Sequence, residues 1–102
     1  MRRRYILAPE AVRDLAGIWR YLKKESSREL ADWMESVIRD KIAFLAGTPG
    51  AGHRRDDLTS ADVKFFAVYS YLIIYRPESK PLQVVSILHG YREIERILEK
   101  RL

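Results

Sequence analysis

Apolar residues recur along this chain first at helical spacing and then at strand spacing. Val12, Leu15, Trp19 and Leu22 follow one another at intervals of three and four, with Ile18 widening the stripe. Arg13, Asp14, Arg20, Lys23 and Lys24 take the other faces. Pro9 and Glu10 suit a first turn, where a missing N–H costs nothing and a carboxylate meets the positive dipole end. The pattern predicts an amphipathic helix over about residues 9–24. Ser26 with Glu29 three positions on has capping-box form. A second stripe then runs through Leu30, Trp33, Met34, Val37, Ile38, Ile42, Phe44 and Leu45, closed by Gly47 and Pro49. Two amphipathic helices joined by two or three residues predict a helical hairpin.

Period-two patterning takes over beyond residue 62. Val63 to Val68, Tyr71 to Tyr75 and Leu82 to Leu88 read as strands of an antiparallel meander. The first turn falls at Tyr69-Ser70, which is poor turn chemistry, and the second runs through Pro77–Pro81. Arg3 to Leu7 reads as a short opening strand stopped by Pro9. Tyr91 to about Lys100 reads as a closing helix with Tyr91, Ile94, Ile97 and Leu98 on one stripe. The order β-α-α-β-β-β-α predicts an α+β fold, a small antiparallel sheet with a helical hairpin on one face.

Length and composition narrow the function classes. The 102 residues make one domain's worth of chain, expected to span 1–102. No apolar run approaches the roughly 18–20 residues that cross a bilayer. Met1-Arg2-Arg3-Arg4 is not followed by a signal-peptide core before Pro9 and Glu10. Zero cysteines exclude disulfides, zinc–thiolate sites and thiol nucleophiles, and make the cytoplasm the expected compartment. The net charge of +5 favours nucleic acid or an acidic protein as partner. It is spread along the chain, with 12 basic against 9 acidic residues up to position 60 and 7 against 5 beyond.

Candidate chemistry is sparse. The chain has no Walker loop, dinucleotide fingerprint, nucleophile elbow or metalloprotease motif, so no cofactor is expected. His53 and His89 alone make no metal site. Three basic spots remain. Arg54 and Arg55 follow a glycine-rich loop and suit either phosphate or their neighbours Asp56 and Asp57. Lys64 and Arg76 lie on strands, where an outward-facing lysine and a structural ion pair are the plainer roles. His89-Gly90-Tyr91-Arg92 gathers an imidazole, a phenol and a guanidinium where the last strand ends. That cluster suits phosphate binding or proton transfer, or equally a simple turn.

Four segments, in order, resemble the ParE branch of the ParE/RelE superfamily, the toxin halves of bacterial type II toxin–antitoxin pairs. Leu7-Ala8-Pro9-Glu10-Ala11 with Asp14-Leu15 and Ile18-Trp19 is similar to the family's opening, where serine more often precedes the proline. Thr48-Pro49-Gly50-Ala51-Gly52 with Arg55 and Leu58 is similar to its central loop. Tyr71-Leu72-Ile73-Ile74-Tyr75-Arg76 and Val85 to Glu93 are similar to its two C-terminal signatures.

The resemblance implies one of two activities. ParE-like members are associated with poisoning DNA gyrase and have no assigned nuclease centre. RelE-like members cleave mRNA on the ribosome with several basic side chains over the sheet. Lys64 and Arg92 match two of those, and His89 and Tyr91 remain as acid–base groups. The family's second strand lysine, however, falls at Phe66, its next arginine at about Tyr71 and its C-terminal tyrosine at about Leu98. Too little positive charge then remains to stabilise a scissile phosphate. The resemblance therefore implies a gyrase inhibitor, with Arg55, Arg76, His89 and Arg92 toward the target. The ribosome-dependent nuclease, built on Lys64, His89, Tyr91 and Arg92, is the alternative. It also implies a ParD-like antitoxin whose amphipathic helix and extended arm enter grooves lined by Tyr5, Trp19, Tyr21 and Trp33, although core packing is the plainer role for both tryptophans.

Overall fold

A computed structural model describes residues 4–102. The elements run β1 (Tyr5–Leu7), α1 (Pro9–Glu25), α2 (Arg28–Gly47), a 3₁₀ turn (Pro49–Ala51), β2 (Lys64–Val68), β3 (Tyr71–Arg76), β4 (Leu82–His89) and α3 (Ile94–Arg101). The expected element order is met, and Arg3, assigned to the first strand, lies outside the described residues. Among the described residues no helix is long and apolar enough to cross a membrane.

The strand order is β1-β4-β3-β2. The meander β2-β3-β4 is antiparallel as expected, but β1 adds to its edge in parallel with β4. The chain reaches that edge only after both helices and two strands have intervened, so no hairpin forces the antiparallel sense. Ala8 then donates its N–H to the Val84 carbonyl at 2.9 Å, which fixes the point where β1 becomes α1. Pro9 opens the helix, as its lack of an N–H allows.

Two details of the helices depart from expectation. The cap of α2 is Ser27 rather than Ser26: its hydroxyl accepts from Leu30 N–H at 3.1 Å. Three residues beyond Ser27 stands Leu30, so the reciprocal carboxylate arm of a capping box is missing. Helix α3 starts at Ile94, not Tyr91. Residues 90–93 are spent on a turn in which Arg92 N–H bonds the His89 carbonyl at 3.0 Å, leaving Tyr91 93% exposed.

The sheet is covered on both faces. The helical hairpin lays Ala11 and Leu15 of α1 and Met34, Ile38, Ile42 and Leu45 of α2 on Ile73, Tyr75, Val84 and Ile87. The opposite face carries Phe65, Ile74, Val85 and Leu88, roofed by Val63 and by Ile94 and Leu98 of α3. A bulge in β4 opposite Ile74 and Tyr75 turns Val85 to that second core. Because the buried stripes run 11-15-18-22 and 31-34-38-42-45, Val12, Trp33 and Phe44 lie at their margins and stay about half exposed. Trp33 is therefore not a core tryptophan, and its ring leans instead on Tyr69.

Candidate functional site

The tip of the helical hairpin overhangs one end of the sheet and leaves a groove of about 790 Å³ beneath it. Ile18, Leu22, Met34, Tyr71 and Ile87 give it an apolar floor. Tyr21 and Tyr69 stand at its mouth, and Arg13, His89 and Arg92 line it with basic groups. His89 is the last residue of β4, paired with Tyr71 of β3. Its ring meets Tyr71 edge-on at 5.4 Å, and its Nδ1 accepts from the Tyr91 N–H at 3.2 Å. That leaves Nε2 as the nitrogen able to meet a partner. Burial, with Tyr21 nearby, raises the Tyr71 pKa, so its hydroxyl remains a neutral donor throughout the physiological range.

One acid lines the groove, and its charge is already engaged. Asp14 accepts from Arg101 at 2.6 and 3.1 Å and from the Ile87 N–H at 3.0 Å, while Arg101 also donates to Ser86 at 2.9 Å. The Asp14 and Arg101 side chains are 6% and 19% exposed. A carboxylate from α1 thus caps a backbone donor on the β4 edge beyond the reach of β1, and a guanidinium from α3 neutralises it. Arg13 and Arg92 are left to set the field in the groove.

The chain matches a family model described as ParE toxin of type II toxin-antitoxin system, parDE, over residues 5–94. It belongs to the ParE toxin family. Among solved structures it is similar to a chain of the chromosomal ParDE TA system from P. aeruginosa, with a TM-score of 0.72 and 18% identity over 83% of this chain and 92% of that one. At that identity the likeness speaks to the fold. No curated protein matches the chain.

In this ParE toxin only part of each expected residue set comes together. His89 and Arg92 share the groove, but Arg76 ends β3 at the far end of the sheet, paired with Gln83. Arg55 is held by Asp57 through two hydrogen bonds of 3.0 and 2.8 Å. That bonding raises the Arg55 pKa and lowers that of Asp57. Arg54 pairs likewise with Asp62 at 2.9 Å and Asp56 at 3.6 Å, so this loop's arginines serve their neighbours.

Lys64 opens β2 opposite Tyr75, whereas His89 pairs with Tyr71. Four residues of strand, about 13 Å, and two strand spacings separate those positions. The four residues of a nuclease centre are thus divided between the two ends of the sheet.

The apolar set divides as well. Tyr21 lines the groove and Trp33 backs its rim through Tyr69. Trp19 belongs to a separate crevice of about 450 Å³ between the helices, where it donates to Asp32 at 2.8 Å. Tyr5 sits beside Arg39 of that crevice. Partial burial lowers the Arg39 pKa, but hydrogen bonding to Tyr5 and Glu35 outweighs it and leaves the value raised. Sequence reasoning missed Asp14, Arg101 and Tyr69. The first two lie 87 positions apart with no local signal, whereas the unsuitable turn chemistry at Tyr69-Ser70 was visible.

Proposed function

We propose that this toxin inhibits DNA gyrase by direct binding in the cytoplasm, and that a ParD-like antitoxin neutralises it by occupying the cationic groove at the sheet end. Family membership supports the class of activity. One observation carries the rest. His89 and Arg92, expected toward the target, line the same groove as Tyr21, expected toward the antitoxin. A partner filling that groove covers both of these target-facing side chains, so neutralisation follows by competition. The groove suits an acidic amphipathic segment, with apolar residues on Ile18, Met34 and Ile87 and carboxylates toward Arg13 and Arg92. The separation of Lys64 from His89 supports inhibition by binding over cleavage of mRNA.

The test is a gyrase supercoiling assay with purified toxin, run with and without pre-bound antitoxin. Inhibition relieved by antitoxin, and weakened at least fivefold in Arg92→Ala, is expected. Unimpaired supercoiling together with cleaved mRNA on translating ribosomes would replace the reading with the nuclease.

A further inference from the structure

The turn between β2 and β3 is two residues long, Tyr69 and Ser70, because Val68 pairs directly with Tyr71. So tight a hairpin favours positive φ at its first turn position, a place that glycine or asparagine normally fills. Tyrosine fills it here, at φ 54°, and among the described residues no other has positive φ. A side chain with a Cβ is strained in that region, and strain of this kind persists where the surroundings or a function demand it. The ring gains little burial in return, since Tyr69 stays 71% exposed. It leans on Trp33 of α2 with ring centroids 5.4 Å apart, and Trp33 is itself 47% exposed. Tyr21, 61% exposed, lines the same groove from α1.

Three aromatic rings from three elements therefore crowd one rim, one of them on a strained backbone. Large exposed aromatics beside an apolar groove mark an interaction site, and binding energy concentrates on such anchors. The groove selects the partner's chemistry. Its single acid is neutralised by Arg101, and Arg13 and Arg92 remain, so the complementary occupant is an acidic segment with apolar residues.

We infer that Tyr69, braced by Trp33, is the anchor by which the groove grips the acidic segment of the antitoxin, the strained turn holding its ring out for that contact. This rests on the groove being the antitoxin site. In the complex the segment closes over the ring, and the apolar surface that the free toxin exposes is buried.

Calorimetric titration of the cognate antitoxin into wild-type toxin and its Tyr69→Gly, Tyr69→Phe and Tyr21→Glu variants tests this. Glycine adopts the turn without strain and deletes the ring, whereas phenylalanine keeps the ring and removes only the hydroxyl. Tyr69→Gly should bind at least tenfold more weakly, and Tyr69→Phe within threefold of wild type. The unfolding midpoint of Tyr69→Gly should stay near wild type, because relieved strain offsets the lost contact with Trp33. Should the glycine variant fold poorly, Tyr69→Asn repeats the test, since asparagine also tolerates the left-handed region. Unchanged antitoxin affinity in Tyr69→Gly overturns the inference, and loss of gyrase inhibition alone in that variant would assign the rim to the target. Tyr21→Glu separates the two levels. If it too binds normally, the groove reading has failed; if it alone binds weakly, only the anchor has.

Discussion

Tyr75 shows how one side chain fixes a loop to the sheet. It is fully buried, donates its hydroxyl to the Pro49 carbonyl at 2.6 Å and accepts from the Gly52 N–H at 2.9 Å. The approach is so close that a Cβ on Gly52 would collide with the tyrosine hydroxyl and lie 2.9 Å from the Phe65 carbonyl. Tyr75→Phe leaves both backbone groups without a partner and should cost about 1–3 kcal/mol in urea unfolding. The same residue sets an alkaline limit. Burial raises its pKa above the ordinary tyrosine value, so the folded state favours the neutral phenol. That stability is fully present below about pH 10 and is lost as the pH rises through the raised value. Tyr71, also raised by burial, contributes in the same direction. The unfolding midpoint should therefore fall steeply above about pH 10, less so in Tyr75→Phe, as a pH series of thermal melts would record.

At the scale of elements, α3 depends most plainly on its neighbours. Its eight residues are too few for an independent helix, and tertiary contact must supply the stability. Ile94 and Leu98 enter the second core, and Arg101 reaches around the sheet edge to Asp14 of α1. Removing one partner of so buried a pair strands the other charge. Arg101→Met should cost about 3 kcal/mol. Asp14→Asn combined with it should cost less than the sum of the two single changes, because no unpaired charge then remains. A double-mutant cycle by urea unfolding checks both statements, and purely additive losses would mean that the pair does not couple the two helices. The elements themselves were largely legible in the sequence, because stripes of period 3.6 and 2 report directly on which face is buried. Their ends were less so. The turn at residues 90–93 consumed what looked like a first helical turn, and the Ser26–Glu29 pair pointed one residue early.

Across the whole molecule, the fold brings the end of β4, the β2–β3 turn and the tip of the helical hairpin to one place. His89-Gly90-Tyr91-Arg92 was recognisable from local chemistry as a candidate cluster, and the structure puts His89 and Arg92 in the groove. Arg55 and Arg76, expected toward the target with His89 and Arg92, do not line that groove, because sequence alone does not say which end of a sheet a strand terminus reaches. The parallel pairing of β1 was hidden for a similar reason, since three residues carry no record of the strand they will join.

On the reading proposed above, antitoxin and target meet the toxin at this one groove. The most direct measurement is the affinity of the cognate antitoxin for Tyr21→Glu, in the groove, and for Lys64→Glu, at the opposite end of the sheet, with supercoiling inhibition measured on both. Tyr21→Glu should lose at least tenfold in antitoxin affinity and should inhibit gyrase less, while Lys64→Glu stays within threefold of wild type in both. The reverse pattern, or a Tyr21→Glu protein that binds and inhibits as wild type does, would contradict it.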